Sequence, residues 1–282
     1  MFVRDGYPAG VPCWVETAQT DPEAAVRFYE GLFGWDFENV ATAGAPDYFI
    51  GRLRGKDVAG VAPQPEGAPP AAMWNSYVWV DSADETAAKA KEAGGSVLAE
   101  PADAGDSGRM AVIADPAGAV LSLWQAKGHR GAVLVNEPGT WNSSELNTGD
   151  PEGAKAFYGA VFGWEVRTVN FGSGDFSWFG LPGYGAYLQE HDPELRDRLE
   201  EDSAPEGFED AVAWFIPADD SDTPPHWSIT FAVDDADATA DKAAELGGTV
   251  LAQPFDAPYV RMTVIRDPQG AVFTASKYMP PG

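Results

Sequence analysis

The chain has a single cysteine, Cys13, among its 282 residues. That excludes an internal disulfide and a thiolate metal cluster. Cys13 lies in an apolar, strand-like run and reads as a buried structural thiol rather than a nucleophile. Histidine is almost as scarce, with His129 in a linker, His191 opening an acidic stretch and His226 preceding a strand; each reads as a surface or satisfied side chain. Positive charge is also in short supply. Lys and Arg number 18 against 44 Asp and Glu, a formal net charge of −26. A surface this acidic repels nucleic acid and anionic membranes. No run of eighteen apolar residues exists, so no membrane span is expected. The start, MFVRDGYPAG, lacks the basic-then-apolar pattern of a signal peptide, and a cytoplasmic location is expected. Neither GxGxxG nor GxxxxGK[ST] occurs, so nucleotide-cofactor binding has no motif support.

What is present is a duplication. TDPEAAVRFYEGLFGW at 20–35 returns as GDPEGAKAFYGAVFGW at 149–164. Asp-Pro-Glu, Phe-Tyr and Phe-Gly-Trp recur in register, at a spacing too long for a solenoid repeat and suited to a duplicated domain. The turn Asp115-Pro116-Ala117-Gly118 likewise returns as Asp267-Pro268-Gln269-Gly270. Two domains follow, at 9–127 and 138–280.

Each copy divides again. In the first, CWVETAQ is a strand. Asp21 caps the next helix with Pro22 at its first position, or Thr20 and Glu23 form a capping box, and Gly34 stops it. WDFENV, DYFIGRL and DVAGVAP are further strands, and 63–72 is a proline-rich linker. Strand NSYVWVD, helix SADETAAKAKEAGG and strands VLAEPA, GRMAVIAD and AVLSLWQ then repeat the order. The second copy gives strand WNSSELN, a helix at 150–161, strands near WEVRTVN, DFSWFGL and GAYLQEH, then HWSITFAVD, a second helix and the strands of YVRMTVIRDPQGAVFTASKY. The DP-x-G turn lies farther from the helix in this copy. The excess falls at 191–212, whose charge reads as a solvated insertion or short amphipathic helix, with a functional lid as the alternative.

This combination resembles the vicinal oxygen chelate superfamily, the glyoxalase/bleomycin-resistance/dioxygenase fold, and looks closest to its tandem-domain bacterial members, labelled glyoxalase-like or hydroxylase. The resemblance covers nearly the whole chain. It implies an α+β fold with two tandem domains, each of two βαβββ modules curved into a half-barrel. In metal-dependent relatives it implies a His or Gln in a module's first strand and a Glu or similar residue in its last. The matching positions here are Trp14, Asn75, Ser122, Ser143, Ser228 and Thr274. None is His or carboxylate, so the metal chemistry does not carry over and no cofactor is expected.

Glu16 and Glu145 recur in register, two residues after Trp14 and Ser143. Facing inward, each gives its domain a pocket carboxylate that serves as a general base or ligand anchor; facing outward, each is a salt-bridging surface group. The sequence weighs these equally. The first pocket's inward set is Trp14, Glu16, Asn75, Tyr77, Trp79, Ser122 and Trp124, an aromatic box with polar handles, unless the tryptophans simply fill the core. The second set is smaller and more polar: Ser143, Glu145, Ser228, Thr230, Thr274 and Ser276, with Trp178, Tyr184 and Tyr187 at a rim. Arg109 and Arg261 match each other. They bind a ligand carboxylate or carbonyl, or brace the barrel by pairing with an acidic neighbour; recurrence in two unlike pockets favours bracing.

The function expected from these features is metal-independent binding of a small aromatic or mostly apolar organic molecule, antibiotic sequestration included. The alternatives are an isomerase, lyase or cyclase with Glu16 or Glu145 as general base, an oxygenase with atypical metal ligands, or a structural role with filled cavities. Four modules in one chain complete two domains, so a monomer or weak homodimer is expected.

Overall fold

The computed structural model describes residues 3–42, 44–67, 71–170, 174–217 and 224–280. Four βαβββ modules follow one another. The first holds β1 (Pro12–Gln19), α1 (Pro22–Phe33), β2 (Asp36–Asn39), β3 (Phe49–Leu53) and β4 (Lys56–Pro63). The second holds β5 (Met73–Trp79), α2 (Ala83–Glu92), β6 (Ser96–Ala104), β7 (Gly108–Ala114) and β8 (Val120–Ala126). The third holds β9 (Thr140–Thr148), α3 (Pro151–Phe162), β10 (Glu165–Asn170) and β11 (Asp175–Gly180), then α4 (Tyr184–His191), α5 (Leu195–Glu201) and β12 (Ala211–Pro217). The fourth holds β13 (His226–Ala232), α6 (Ala236–Glu245), β14 (Thr249–Ala257), β15 (Val260–Arg266) and β16 (Val272–Tyr278). Part of the expected proline-rich linker, 68–70, lies outside the described residues.

The helices begin and end where their chemistry dictates. Asp21 and Asp150 each accept a backbone N–H three residues on, from Ala24 and Gly153, both at 3.0 Å. A proline occupies the first turn of each helix, and Gly34 and Gly163 stop them at φ 68° and 76°. That is the left-handed region, which costs glycine nothing. Ser82 and Asp235 cap α2 and α6 in the same way. Thus Asp21, rather than a Thr20–Glu23 box, caps α1.

Two eight-stranded sheets result, in the orders β2-β3-β4-β1-β5-β8-β7-β6 and β10-β11-β12-β9-β13-β16-β15-β14. Within every module the first and last strands pair in parallel and the remainder antiparallel. The fold is therefore α+β with two tandem sheet domains.

One expected strand is a helix. GAYLQEH forms α4, starting after Gly183 at φ 90°. The last strand of the third module is AVAWFIP, whose β-branched and aromatic residues suit a paired, half-buried position. The insertion consequently occupies 181–210, beginning earlier than the acidic run suggested. Its α5 buries no residue, as a solvated helix should.

The chain packs into two compact units that do not follow sequence order. One contains Met1–Cys13, Ser76–Arg130 and Ser144–Trp227; the other contains Trp14–Asn75, Gly131–Ser143 and Ser228–Gly282. In the first unit, Val78, Ile113, Leu121 and Leu123 of the second module share a core with Leu146, Phe157, Tyr158, Trp164, Phe179 and Phe215 of the third. The duplicated motifs make this junction. The Phe157 ring lies where a Cβ on Gly95 would sit, 2.5 Å away, so only glycine fits there. Tyr158 Oη donates to Asp115 Oδ2 at 3.1 Å and accepts from Trp227 Nε1 at 2.9 Å. Trp164 Nε1 donates to the Gly10 carbonyl at 2.7 Å.

The second unit repeats the arrangement with the outer modules. Tyr29 Oη donates to Asp267 Oδ2 at 2.9 Å and accepts from Trp74 Nε1 at 3.1 Å. Trp35 Nε1 donates to the Gly139 carbonyl at 2.7 Å. The rings of Tyr29, Phe33, Trp35, Trp74, Phe231 and Phe273 pack at centroid separations of 4.9–6.3 Å, the range of favourable edge and offset contacts. Each Phe-Tyr…Phe-Gly-Trp helix thus reads a terminal turn from the other copy.

Candidate functional site

Strand alternation sorts the site residues, because successive side chains point to opposite faces of a sheet. In the first unit, Val78, Ala111, Ile113, Leu121 and Leu123 face the helices. Tyr77, Trp79, Ser122 and Trp124 therefore share the helix-free face. Register places Tyr77 beside Ser122 and Trp79 beside Trp124. Tyr77 and Trp124 meet edge to face at 6.2 Å, and the Trp124 indole donates to the His129 carbonyl at 2.9 Å. Met110, opposite Trp124 on β7, joins this face.

The chain start extends this aromatic surface. Tyr7 lies 6.3 Å from Trp79, and the Arg4 guanidinium stands 4.9 Å above the Tyr7 ring. Arg4 Nη1 also donates to Tyr184 Oη of α4 at 2.6 Å. Arg130 lies over Trp79 at 5.6 Å. Two of the chain's few cations thus stack on its aromatic rings. Burial pushes the Tyr7 hydroxyl far above the usual phenol range, so it stays protonated and acts as a hydrogen-bonding group. Arg4 and Tyr7 carry no sequence signal, since they precede β1 and belong to no strand or helix pattern.

The same unit carries a second helix-free face, on β9–β12. Leu146, Phe179 and Phe215 point to α3. Their neighbours Glu145, Trp214, Trp178 and Arg167 lie in one cross-strand row on the other side. Glu145 is buried, at 7% exposure. Its side chain lies on the side of β9 away from α3. Trp178 is on this face too, as a floor residue rather than at a rim. Tyr187 stacks on Tyr184 at 6.2 Å, on the insertion. Trp214 lies on AVAWFIP, the strand that takes the place expected for GAYLQEH.

In the other unit, Val15, Thr17 and Gln19 point to the core, where Gln19 Nε2 donates to Asp267 Oδ2 at 2.7 Å. Trp14 and the half-buried Glu16 lie on the opposite face, Glu16 in register with Gly60. Trp14 Nε1 donates to Tyr48 Oη at 3.1 Å. A Cβ on Gly60 would fall 2.5 Å from that hydroxyl, so Trp14 and Tyr48 occupy the space that Gly60 leaves. At the corresponding place beside Glu145 stands Trp214. The copies have exchanged bulk, with tryptophan before the glutamate in one and across from it in the other. Asn75 is half-buried on the face opposite Trp74. Ser228, Thr230, Thr274 and Ser276 line one face of the fourth module, with Thr230 beside Thr274. Ser143 lies on the same side of β9 as Glu145.

Arg109 and Arg261 require correction as ligand-binding residues. They sit on the strand positions that face the helices and clamp them instead. Arg109 Nε and Nη2 donate to Asp84 at 2.6 and 2.9 Å. Arg261 does the same to Asp237 at 2.5 and 2.8 Å, and adds Asp256 at 2.7 Å. Hydrogen bonding to these arginines holds the Asp84 and Asp237 carboxyls below the usual aspartate range. Cys13 is fully buried, and burial pushes its thiol well up, which makes it inert as a nucleophile. Among the described residues no helix is long and apolar enough to cross a membrane.

A family model described as Glyoxalase/Bleomycin resistance protein/Dioxygenase superfamily matches residues 14–123 and 141–274. The chain belongs to this superfamily. It is 41% identical to "Putative glyoxylase CFP32" of Mycobacterium tuberculosis, over 99% of both chains. It is 33% identical to "Anthracycline biosynthesis protein DnrV" of Streptomyces peucetius, over 95% of this chain and 93% of the relative. Among solved structures it resembles the Mn(II)-bound glyoxalase of Novosphingobium aromaticivorans (TM-score 0.58, 15% identity, 95% of this chain and 82% of that one). It also resembles the 2,3-dioxygenase LapB of Pseudomonas sp. KL28 (TM-score 0.59, 13% identity, 97% and 95%). Similarity at these identities establishes the fold.

The fold family implies a metal, and the side chains at its positions can be tested for fit. The Trp14 ring nitrogen is a donor already given to Tyr48. Asn75, Ser122, Ser143, Ser228 and Thr274 offer neutral amide or hydroxyl groups. Among the described residues no three His, Cys, Asp or Glu side chains are grouped to hold an ion. This donor set does not fit a catalytic divalent metal, which takes imidazole and carboxylate ligands. The faces offer instead flat apolar contact with a few hydrogen-bonding groups.

Proposed function

We propose that the chain binds a small, flat aromatic or mostly apolar metabolite without a metal, and sequesters or carries it. The observation that carries this reading is the shared face of Tyr77, Trp79, Ser122 and Trp124, extended by Tyr7. The aromatic rings supply apolar area for a planar molecule, and the Ser122 hydroxyl orients it. The neutral donor set at the superfamily's metal positions supports the same reading. So does the relationship to proteins named for anthracycline biosynthesis, since anthracyclines are planar and polycyclic. The test is calorimetric titration with planar aromatics, an anthracycline included, beside an aliphatic of equal size. Saturable binding at a fixed ratio without turnover is expected; no heat with any planar compound overturns the reading.

A second reading rests on Glu145. A carboxylate this buried beside a tryptophan suits a general base in an isomerase, lyase or cyclase. Turnover that falls at least about 100-fold in Glu145→Gln would favour it over sequestration.

A further inference from the structure

The helix-free face of β9–β12 is covered by the chain itself. Phe208, from the short turn that ends the insertion, rests on Trp178 at 5.5 Å and on Trp214 at 5.8 Å between ring centroids. The preceding Gly207 lies against the Arg167 guanidinium, where an added Cβ would be 2.9 Å from Cζ. One end of the insertion is tied back to its start, with the Asp210 carboxylate accepting the Gly185 N–H at 2.7 Å. The stretch between holds α5, which buries nothing. The insertion thus lays a phenyl ring on the floor.

The floor is not built for a phenyl ring alone. Trp178 is 1% exposed, and its indole N–H has no hydrogen-bond acceptor among the described residues. A buried donor left unmet is destabilising, and a phenyl ring brings no oxygen or nitrogen to meet it. Glu145 closes the row next to Trp214. It is a buried carboxylate at the edge of an indole platform, a pairing that favours a cation or N–H donor. The net charge of −26 adds long-range attraction for cations.

We infer that residues 181–210 form a lid with Phe208 as a stand-in occupant, over a second site for a flat aromatic amine carrying an acceptor atom on its ring. The ring displaces Phe208 from Trp178 and Trp214, the ring acceptor meets the Trp178 N–H, and the amine lies at Glu145. This site is separate from the Tyr77–Trp124 face and shares none of its side chains.

Three compounds with one ring system test it: serotonin, 5-hydroxyindole and 5-hydroxyindole-3-acetate, a cation, a neutral molecule and an anion. Each is titrated by calorimetry into the full chain. Serotonin is expected to bind at least tenfold more tightly than 5-hydroxyindole, and the acetate not at all. Glu145→Gln, nearly isosteric, is expected to lower serotonin affinity at least tenfold and leave 5-hydroxyindole within twofold. Phe208→Ala is expected to tighten both, and Phe208→Leu, which keeps an apolar finger, to tighten them less. The effects of Glu145→Gln and Phe208→Ala should persist in a Trp79→Ala background, which weakens planar-ligand binding at the other face. Equal affinity for all three compounds, no serotonin binding to wild type and Phe208→Ala alike, or unchanged serotonin affinity in Glu145→Gln each overturns the inference. Those outcomes leave the reading of the Tyr77–Trp124 face intact, because that reading is overturned only when no planar compound gives heat.

Discussion

The Tyr158 hydroxyl donates to Asp115 Oδ2 at 3.1 Å while accepting the Trp227 indole N–H at 2.9 Å. One phenol thereby joins the helix of the third module to the terminal turn of the second. Asp115 completes the chain by accepting the backbone N–H groups of Ala117 and Ala119 at 3.0 and 2.9 Å. Burial pushes the Tyr158 hydroxyl well above the usual phenol range, so it remains a donor at any ordinary pH.

Removing that oxygen strands two partners. Tyr158→Phe leaves the Trp227 N–H without an acceptor and Asp115 with one donor fewer, at a cost of about 1–3 kcal/mol. Tyr29→Phe, which breaks the matching chain to Asp267 and Trp74, should cost a similar amount. Urea unfolding followed by tryptophan fluorescence measures both. A loss below about 0.5 kcal/mol in each would show that the phenols only fill space.

Asp115 sets a pH dependence of definite sign. Burial, only partly offset by its hydrogen bonds, raises its carboxyl above the usual aspartate value. A raised folded-state value favours the native state while the group is protonated, and that advantage is lost as pH rises through the raised value. Asp115→Asn has no such titration. The stability of the Asn variant relative to wild type should therefore improve from about pH 3.5, near the unfolded aspartate value, toward pH 7. Paired urea titrations across that range check it; a gap that moves the other way would mean the hydrogen bonds outweigh burial.

The two arginines separate bracing from binding. Arg109 clamps Asp84 on the helix side of its sheet, so Arg109→Ala should lower thermal stability modestly and leave the affinity for a planar ligand within twofold. Trp79→Ala should weaken that affinity at least about tenfold, as truncation of an aromatic anchor does. Calorimetry on both variants gives the contrast, and equal losses would return Arg109 to the pocket.

Metal content provides an independent check. With Trp14, Asn75, Ser122, Ser143, Ser228 and Thr274 as the donor set, protein purified without chelator should carry well under one equivalent of any transition metal. Exhaustive chelation should leave ligand affinity unchanged. A stoichiometric ion by mass spectrometry would replace the metal-free proposal.

The elements were legible because their signals are local. Helix caps, glycine stops and alternating strands each act within a few residues, and the strand–helix order of the modules follows from them, apart from the last strand of the third. GAYLQEH escaped because a short run of tyrosine, leucine and alanine suits either state, and the strand that pairs beside β9 lies past a charged insertion. The aromatic faces could be read from alternation alone, which puts Tyr77 with Trp79 and Ser122 with Trp124. Arg4, Tyr7, Trp214 and Phe208 could not. Each joins its face through a contact with a distant segment, such as the 2.6 Å bond from Arg4 to Tyr184, and no spacing announces such a contact. The arginines were equivocal until register fixed the side of the sheet.

The crosswise pairing of motifs also governs when the molecule can fold. Tyr29 and Asp267 are 238 positions apart. At about 5–20 residues per second, a ribosome needs roughly 12–50 s to deliver the second after the first. During that interval the Tyr29, Trp35 and Trp74 cluster has emerged without Phe231 or Phe273. The inner modules meet sooner and can close first around Tyr158. The outer modules must wait with aromatic surface exposed, so the nascent first half is where chaperone dependence and aggregation should concentrate.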